Sequence, residues 1–140
     1  MTTVYSYYCL DIIHMGHILM LKKSKQIAGK SGKLVVGILT DEAIMERKKE
    51  PILKFEERFQ IASSIKYVNE VVKQTTYSPL TNLKMIKPDV LMESSSHSKL
   101  DINEYEKFMH SINGRIITVP YFKKQSSTKI KDLIFERRLN

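Results

Sequence analysis

The chain has one cysteine, Cys9, in 140 residues, so an internal disulfide is excluded. A reducing compartment such as the cytoplasm is the expected setting. No apolar run approaches the roughly 18 residues that a membrane-spanning helix needs, so membrane insertion is not expected. The opening stretch, MTTVYSYYCLDIIHMGH, lacks a basic region followed by an apolar core, and is not read as a secretory leader. Low-complexity linkers and internal repeats are missing too, and a single domain over residues 1–140 is expected. Acidic residues are the scarcer charge: 15 against 23 basic residues, a net charge of +8. That balance implies an anionic partner, which could be nucleic acid, a membrane surface or a phosphorylated small molecule. The basic residues form no block of five or six, and aromatic residues do not alternate with them as on a single-strand stacking platform. Charge alone does not choose among these partners.

What is present is a soluble globular composition, 42% hydrophobic and 27% charged. VYSYYCL (residues 4–10) is rich in β-formers and predicts a first strand. GHILMLKKSKQIAGKSGK follows with Ile18, Leu19, Leu21 and Ile27 at helical spacing, closed by Gly29 and Gly32. KLVVGILT (33–40) is nearly all apolar, as in strands buried on both faces of a parallel sheet. Asp41 is placed to cap a helix over DEAIMERKK, which Pro51 ends. KFEERFQIASSIKYV predicts a second long helix, with Phe55, Phe59, Ala62 and Ile65 in register. NEVVKQT, DVLMES and RIITVP predict strands; LTNLKMIK and INEYEKFMHSI predict helices, with Asn113-Gly114 a turn. SSTKIKDLIFERRL predicts a closing helix, capped by Ser126 or Ser127, with Ile130, Leu133 and Ile134 as its inner face. Five strands alternating with helices predict an α/β fold: a Rossmann-like open parallel five-stranded sheet with helices on both faces. Ligands of such sheets sit outside the carboxyl ends of the strands, at the point where strand order reverses. DIIHMGH (11–17) and QSSTK (125–129) both follow strands, and both fall at that end.

His14 and His17, three residues apart, face the same way in a helical turn. Gly16 between them lets a ligand approach the backbone, and a helix start favours anions. The local spacing leaves three readings open. The pair could stabilise charge on phosphorus, with a protonated imidazole facing a leaving pyrophosphate. It could be two histidines capping a helix, or, with Asp11, a metal site. QSSTKIK opens a helix with hydroxyls that could hold phosphate oxygens or simply cap it. ERKKEPILKFEER carries Arg47, Lys48 and Lys49 before a proline-broken loop, which could close over a triphosphate or be a solvated charge run.

The order of the pieces carries a resemblance. DIIHMGH, GILTDEA, a K-x-P-x-x-x-x-E-E-R stretch, YVNEVV, KPDVLM and SSTKIKDLI occur in series over almost the whole chain. This resembles the cytidylyltransferase family of nucleotidyltransferases with the HxGH signature, most of all the small glycerol-3-phosphate cytidylyltransferases. It is also similar to the nucleotidyltransferase domains of phosphonate pathways. The resemblance implies in-line attack of a phosphate or phosphonate oxygen on the α-phosphorus of CTP, with pyrophosphate leaving and no covalent intermediate. It implies Mg²⁺ carried by the nucleotide, no metal ligands from the protein, no nucleic-acid partner, and a homodimer. Carried onto this sequence, the catalytic residues are His14, His17 and Lys49. The nucleotide contacts are Cys9, Leu10, Asp11, Met15, Gly16, Arg58, Ser126, Ser127 and Thr128. Arg47 and Lys66 take the acceptor.

The sequence also departs from that pattern. Tyr8 stands for a glycine before the nucleotide-contacting pair, and SSSH (94–97) replaces an acidic G-D-D-W motif. Tyr121 replaces an arginine and Lys124 a glycine before SST, Lys66 replaces an arginine, and Leu80 falls where some relatives have an acceptor lysine. The alternatives are adenylyltransferases of the same superfamily, which share HxGH and the terminal S-x-T; a degenerate nucleotide-binding module; and a basic nucleic-acid-binding domain.

Overall fold

The computed structural model describes residues 1–95 and 98–139. Strands β1 (Thr3–Tyr8), β2 (Lys33–Leu39), β3 (Glu70–Gln74), β4 (Val90–Ser94) and β5 (Arg115–Val119) form one sheet in the order β3-β2-β1-β4-β5. All four pairings are parallel. Helices α1 (Met15–Ala28), α2 (Asp41–Met45), α3 (Phe55–Ser63), α4 (Leu80–Ile86), α5 (Lys99–Ser111) and α6 (Ser127–Leu139) connect or follow the strands. This is the expected Rossmann-like α/β architecture. Strand order reverses between β1 and β4, so the crevice belongs at their carboxyl ends.

The apolar run 34–39 is buried throughout, as a strand covered on both faces requires. One core gathers Val4, Leu21, Leu34, Val36 and Met92 beneath α1 and α3. A second, on the other face, gathers Tyr5, Val35, Leu83, Leu91, Tyr105 and Met109 beneath α4 and α5. Gly37 opens a hole in β2 for Tyr5, since a Cβ there would lie 1.9 Å from the Tyr5 hydroxyl. That hydroxyl donates to Gln74 Oε1 at 2.6 Å and accepts from Asn82 Nδ2 at 2.9 Å, so the polar tip is fully satisfied in the interior.

Three local expectations are corrected. Thr40, not Asp41, caps α2: Thr40 stays extended and its Oγ1 accepts from the Ala43 amide at 3.1 Å. The long helix from Lys54 stops at Ser63, where the hydroxyls of Ser63 and Ser64 bond back to the carbonyls of Phe59 and Gln60. Such back-bonding competes with helix propagation. In α6 no residue is buried, and Leu133, Ile134 and Phe135 are about half exposed or more (45%, 62% and 63%). The expected inner face of Ile130, Leu133 and Ile134 therefore has no core beneath it: α6 follows the edge strand β5 and lies past the sheet's carboxyl end. No helix of the described residues is long and apolar enough to cross a membrane.

Candidate active site

β1 ends at Tyr8, and the chain turns sharply through Leu10, which adopts φ 56°. A non-glycine residue there costs roughly 1–2 kcal/mol; the side chain offsets it by being buried, 2% exposed. The turn aims the next residues over the crevice. Asp11, buried at the turn, accepts the amides of Ile52 (3.0 Å) and Leu53 (2.8 Å) and is ion-paired with Lys131 of α6. Burial acts against the Asp11 carboxylate, but Lys131 and the two amides prevail and hold its pKa below the ordinary value.

The histidines form the cap of α1. His14 is the N-cap, in extended conformation, and its Nδ1 accepts from the Gly16 amide at 3.0 Å. His17 Nδ1 accepts from the His14 amide at 3.2 Å. Each Nδ1 is thus an acceptor, so each neutral ring carries its proton on Nε2 and can donate only from there. The ring centroids lie 4.0 Å apart, and the Tyr8 ring meets His17 edge-on at 6.0 Å. Burial, reinforced by the nearby charges of His14 and Lys48, pulls His17 down to about 4. Burial lowers His14 as well. With both Nδ1 atoms accepting from backbone amides, the pair presents two Nε2–H donors, where the sequence alone suggested a protonated imidazole. Gly16 has no room for a side chain: a Cβ would meet His14 Cε1 at 2.7 Å and Phe122 Cδ1 at 2.9 Å.

Across the crevice lies the start of α6. Ser126 Oγ accepts from the Lys129 amide at 3.0 Å, which makes Ser126 the cap, while Ser127 Oγ donates to the Ile12 carbonyl at 2.8 Å. Between the two helix starts opens a cleft of about 1380 Å³. Its lining carries six lysines (Lys23, Lys48, Lys49, Lys123, Lys124 and Lys131) against three carboxylates, Asp11, Glu50 and Asp132. Asp11 is already paired with Lys131 and Glu50 with Lys54. A cleft with two helix N-termini, two imidazole donors and a surplus of lysines is built for a polyanion. Among the described residues no group of three His, Cys, Asp or Glu side chains could hold a metal ion.

The cleft brings together Cys9, Leu10, Asp11, His14, Gly16, His17, Lys49, Ser126, Ser127 and Thr128. Other expected residues fall outside it. Met15 is 58% exposed and does not line the cleft. Arg58 is fully buried: its guanidinium donates to the carbonyls of Leu53 (2.9 Å), Cys9 and Leu39 (both 2.7 Å) and to Asp41 Oδ1 (2.7 Å). It ties the carboxyl ends of β1 and β2 to α2 and does not line the cleft. Lys66 lies in the loop entering β3, at the opposite end of the sheet, with its ammonium over Tyr67. Arg47 faces α5, bound to Asp101 at 2.8 Å and stacked on Tyr77 at 4.7 Å. Of the departures, Tyr8, Tyr121, Lys124 and Ser94 line the cleft, whereas Ser96 and His97 lie outside the described residues. Sequence reasoning missed Lys131 as a site residue, although it sits four after Ser127 on the same helical face. It also passed over Lys48 in favour of its two neighbours, a choice that depends on side-chain direction in an irregular loop.

Comparison with known proteins agrees with this geometry. The model of the cytidylyltransferase-like family matches residues 9–133. FAD synthase of Methanothermus fervidus is 30% identical over 90% of this chain and 92% of its own length. Bifunctional protein HldE of Alcanivorax borkumensis is 31% identical over 92% of this chain, which spans 27% of that protein. A lipopolysaccharide core biosynthesis protein from Thermoplasma volcanium superposes with a TM-score of 0.72 at 25% identity, covering 89% of this chain and 98% of its own. The crevice at the strand reversal, the histidine cap and the family match together show that the chain belongs to the cytidylyltransferase-like family of nucleotidyltransferases.

Proposed function

We propose that the protein transfers an adenylyl group from ATP to a phosphorylated acceptor of the FMN type, releasing pyrophosphate. The observation that carries this reading is the run of FAD synthases among the similar proteins, 30–35% identical over 69–90% of this chain and 62–92% of their own lengths. The name implies adenylyl transfer to FMN. Supporting it, the residues that would mark a cytidylyltransferase are altered here, at Tyr121 and over residues 94–97. The cleft has aromatic side chains at Tyr77, Tyr121 and Phe122 against which planar rings could lie.

In this reading a phosphate oxygen of the acceptor attacks the α-phosphorus of ATP. The new P–O bond forms as the bond to the β-phosphate oxygen breaks, and the electron pair leaves with pyrophosphate. The attacking phosphate needs no general base. The Nε2–H groups of His14 and His17 donate to oxygens that gain charge in the transition state. Lys48 and Lys49 neutralise the triphosphate from one side; from the other, the Ser126 and Thr128 hydroxyls and the open N–H groups at the start of α6 donate to it. Mg²⁺ bound to the phosphates would supply further charge neutralisation. A homodimer belongs to the same proposal, and light scattering would test it.

Cytidylyl transfer from CTP to a polyol phosphate or phosphonate is the second reading, favoured by the HxGH-to-SSTK motif series. Pyrophosphate release separates them. Release with ATP and FMN, with FAD as product, supports the proposal. Release with CTP and glycerol 3-phosphate supports the second reading. No release with any nucleoside triphosphate and either acceptor overturns both.

A further inference from the structure

Resting on that reading, we propose that Lys131 is a positioning residue: through Asp11 it sets the start of α6 against the histidine turn and the loop after Pro51. Asp11 is a junction of three chain segments. Its Oδ2 takes the Lys131 ammonium and the Ile52 amide, and its Oδ1 takes the Leu53 amide. The Asp11 side chain is 8% exposed and that of Lys131 33%, so the ion pair is largely withdrawn from water. Beside it, Ser127 Oγ binds the Ile12 carbonyl, so a second tether joins the same helix to the same turn.

The rest of α6 offers little else. None of its residues is buried, and Leu133, Ile134, Phe135 and Leu139 are exposed. A helix without a buried stripe is held by its polar ties. Ser126, Ser127 and Thr128 can meet phosphates only where those ties place them. Lys131 therefore fixes the distance between two anion-binding helix starts, and Asp11 passes the same constraint to the lysine-bearing loop. Because the ammonium is neutralised by Asp11, Lys131 acts through the geometry of α6 rather than as a free charge on substrate.

The test combines hydrogen exchange without nucleotide and a kinetic double-mutant cycle. In Lys131→Met, amides of residues 127–133 and of Ile52 and Leu53 should exchange at least tenfold faster, with the sheet unchanged. Unchanged exchange in both segments overturns the proposal, whatever the protein's activity. In turnover, Lys131→Met should raise KM for the triphosphate about tenfold or more, with kcat within about threefold, and Lys131→Arg should restore it. Asp11→Asn should raise KM similarly, and the double variant should be no worse than either single one. Additive effects, or an unchanged KM in Asp11→Asn, would mean that Lys131 binds phosphate directly, and would overturn the positioning role. A wild-type protein that releases no pyrophosphate defeats the functional reading alone, because the exchange experiment still decides the tie.

Discussion

Two helix starts face each other across the cleft, and they are held in opposite ways. α1 is anchored from below: Leu21, Ser24 and Ala28 are buried, and its cap is knitted from two imidazoles and the backbone. α6 has no buried residue and is tied by Ser127 and Lys131 to the turn that precedes α1. The first start is rigid because hydrophobic burial and hydrogen bonds act on the same residues. The second is positioned by a few polar contacts, whose individual worth is about 1 kcal/mol. Chemistry that tolerates no displacement belongs on the first; contacts that must form and release with each nucleotide belong on the second.

The contrast can be broken most severely at the histidines. His17→Ala should lower turnover roughly 10²–10³-fold, the loss typical of one transition-state donor, while circular dichroism stays native. Turnover near wild type would remove His17 from the mechanism.

Protonation attacks the same anchor. His17 sits at about 4 in the fold against 6.5 for an ordinary histidine, so the unfolded chain binds more protons between those values. Stability is then full above pH 6.5 and declines as pH falls toward 4, by about 3 kcal/mol if the whole shift acts. Denaturant melts at pH 7 and 4.5 should show the decline, and His17→Gln should flatten it. An equal decline in both proteins would place the acid sensitivity elsewhere.

Gly16→Ala is expected to push the His14 ring and Phe122 aside, because its Cβ would lie 2.7 and 2.9 Å from them. A displacement of that order can cost about 10² in turnover, and KM should change less than kcat. A kcat within twofold of wild type would show that the His14 ring can move freely.

The mildest change is on α6. Ser127→Ala removes one hydroxyl bond from a helix that can loosen without unfolding the sheet, and should raise KM for the triphosphate a few-fold with a melting temperature within about two degrees of wild type. A drop in melting temperature of several degrees would mean that α6 is more firmly integrated than its exposure suggests.

Most of the fold was legible because its signals are local. The run 34–39, the glycines after α1 and the proline after α4 each mark an element through composition alone. The histidine turn was legible by position, at the end of a strand and the start of a helix. Arg58 was not, because the same residue type and spacing suit a phosphate clamp or a buried strut, and only the carbonyls of Cys9 and Leu39 decide between them. Nor was the neutral state of the imidazoles, which follows from hydrogen bonds to Nδ1 that no spacing reveals. The exposed face of α6 escaped for a similar reason: periodicity reports an apolar stripe but not whether anything lies beneath it.

The hole in β2 has a consequence for how this sequence can drift. Tyr5 and Gly37 occupy one volume between them: the ring tip of one fills the space that the other leaves. Tyr5→Phe alone takes the donor from Gln74 Oε1 and leaves Asn82 Nδ2 only the Lys73 carbonyl, and Gly37→Ala alone collides with the hydroxyl. Each position is thus frozen by its counterpart, while a joint change costs less than the sum of its parts. In a lineage of such chains the two sites would be inherited as a single character, separated by 32 residues of sequence yet constrained as one.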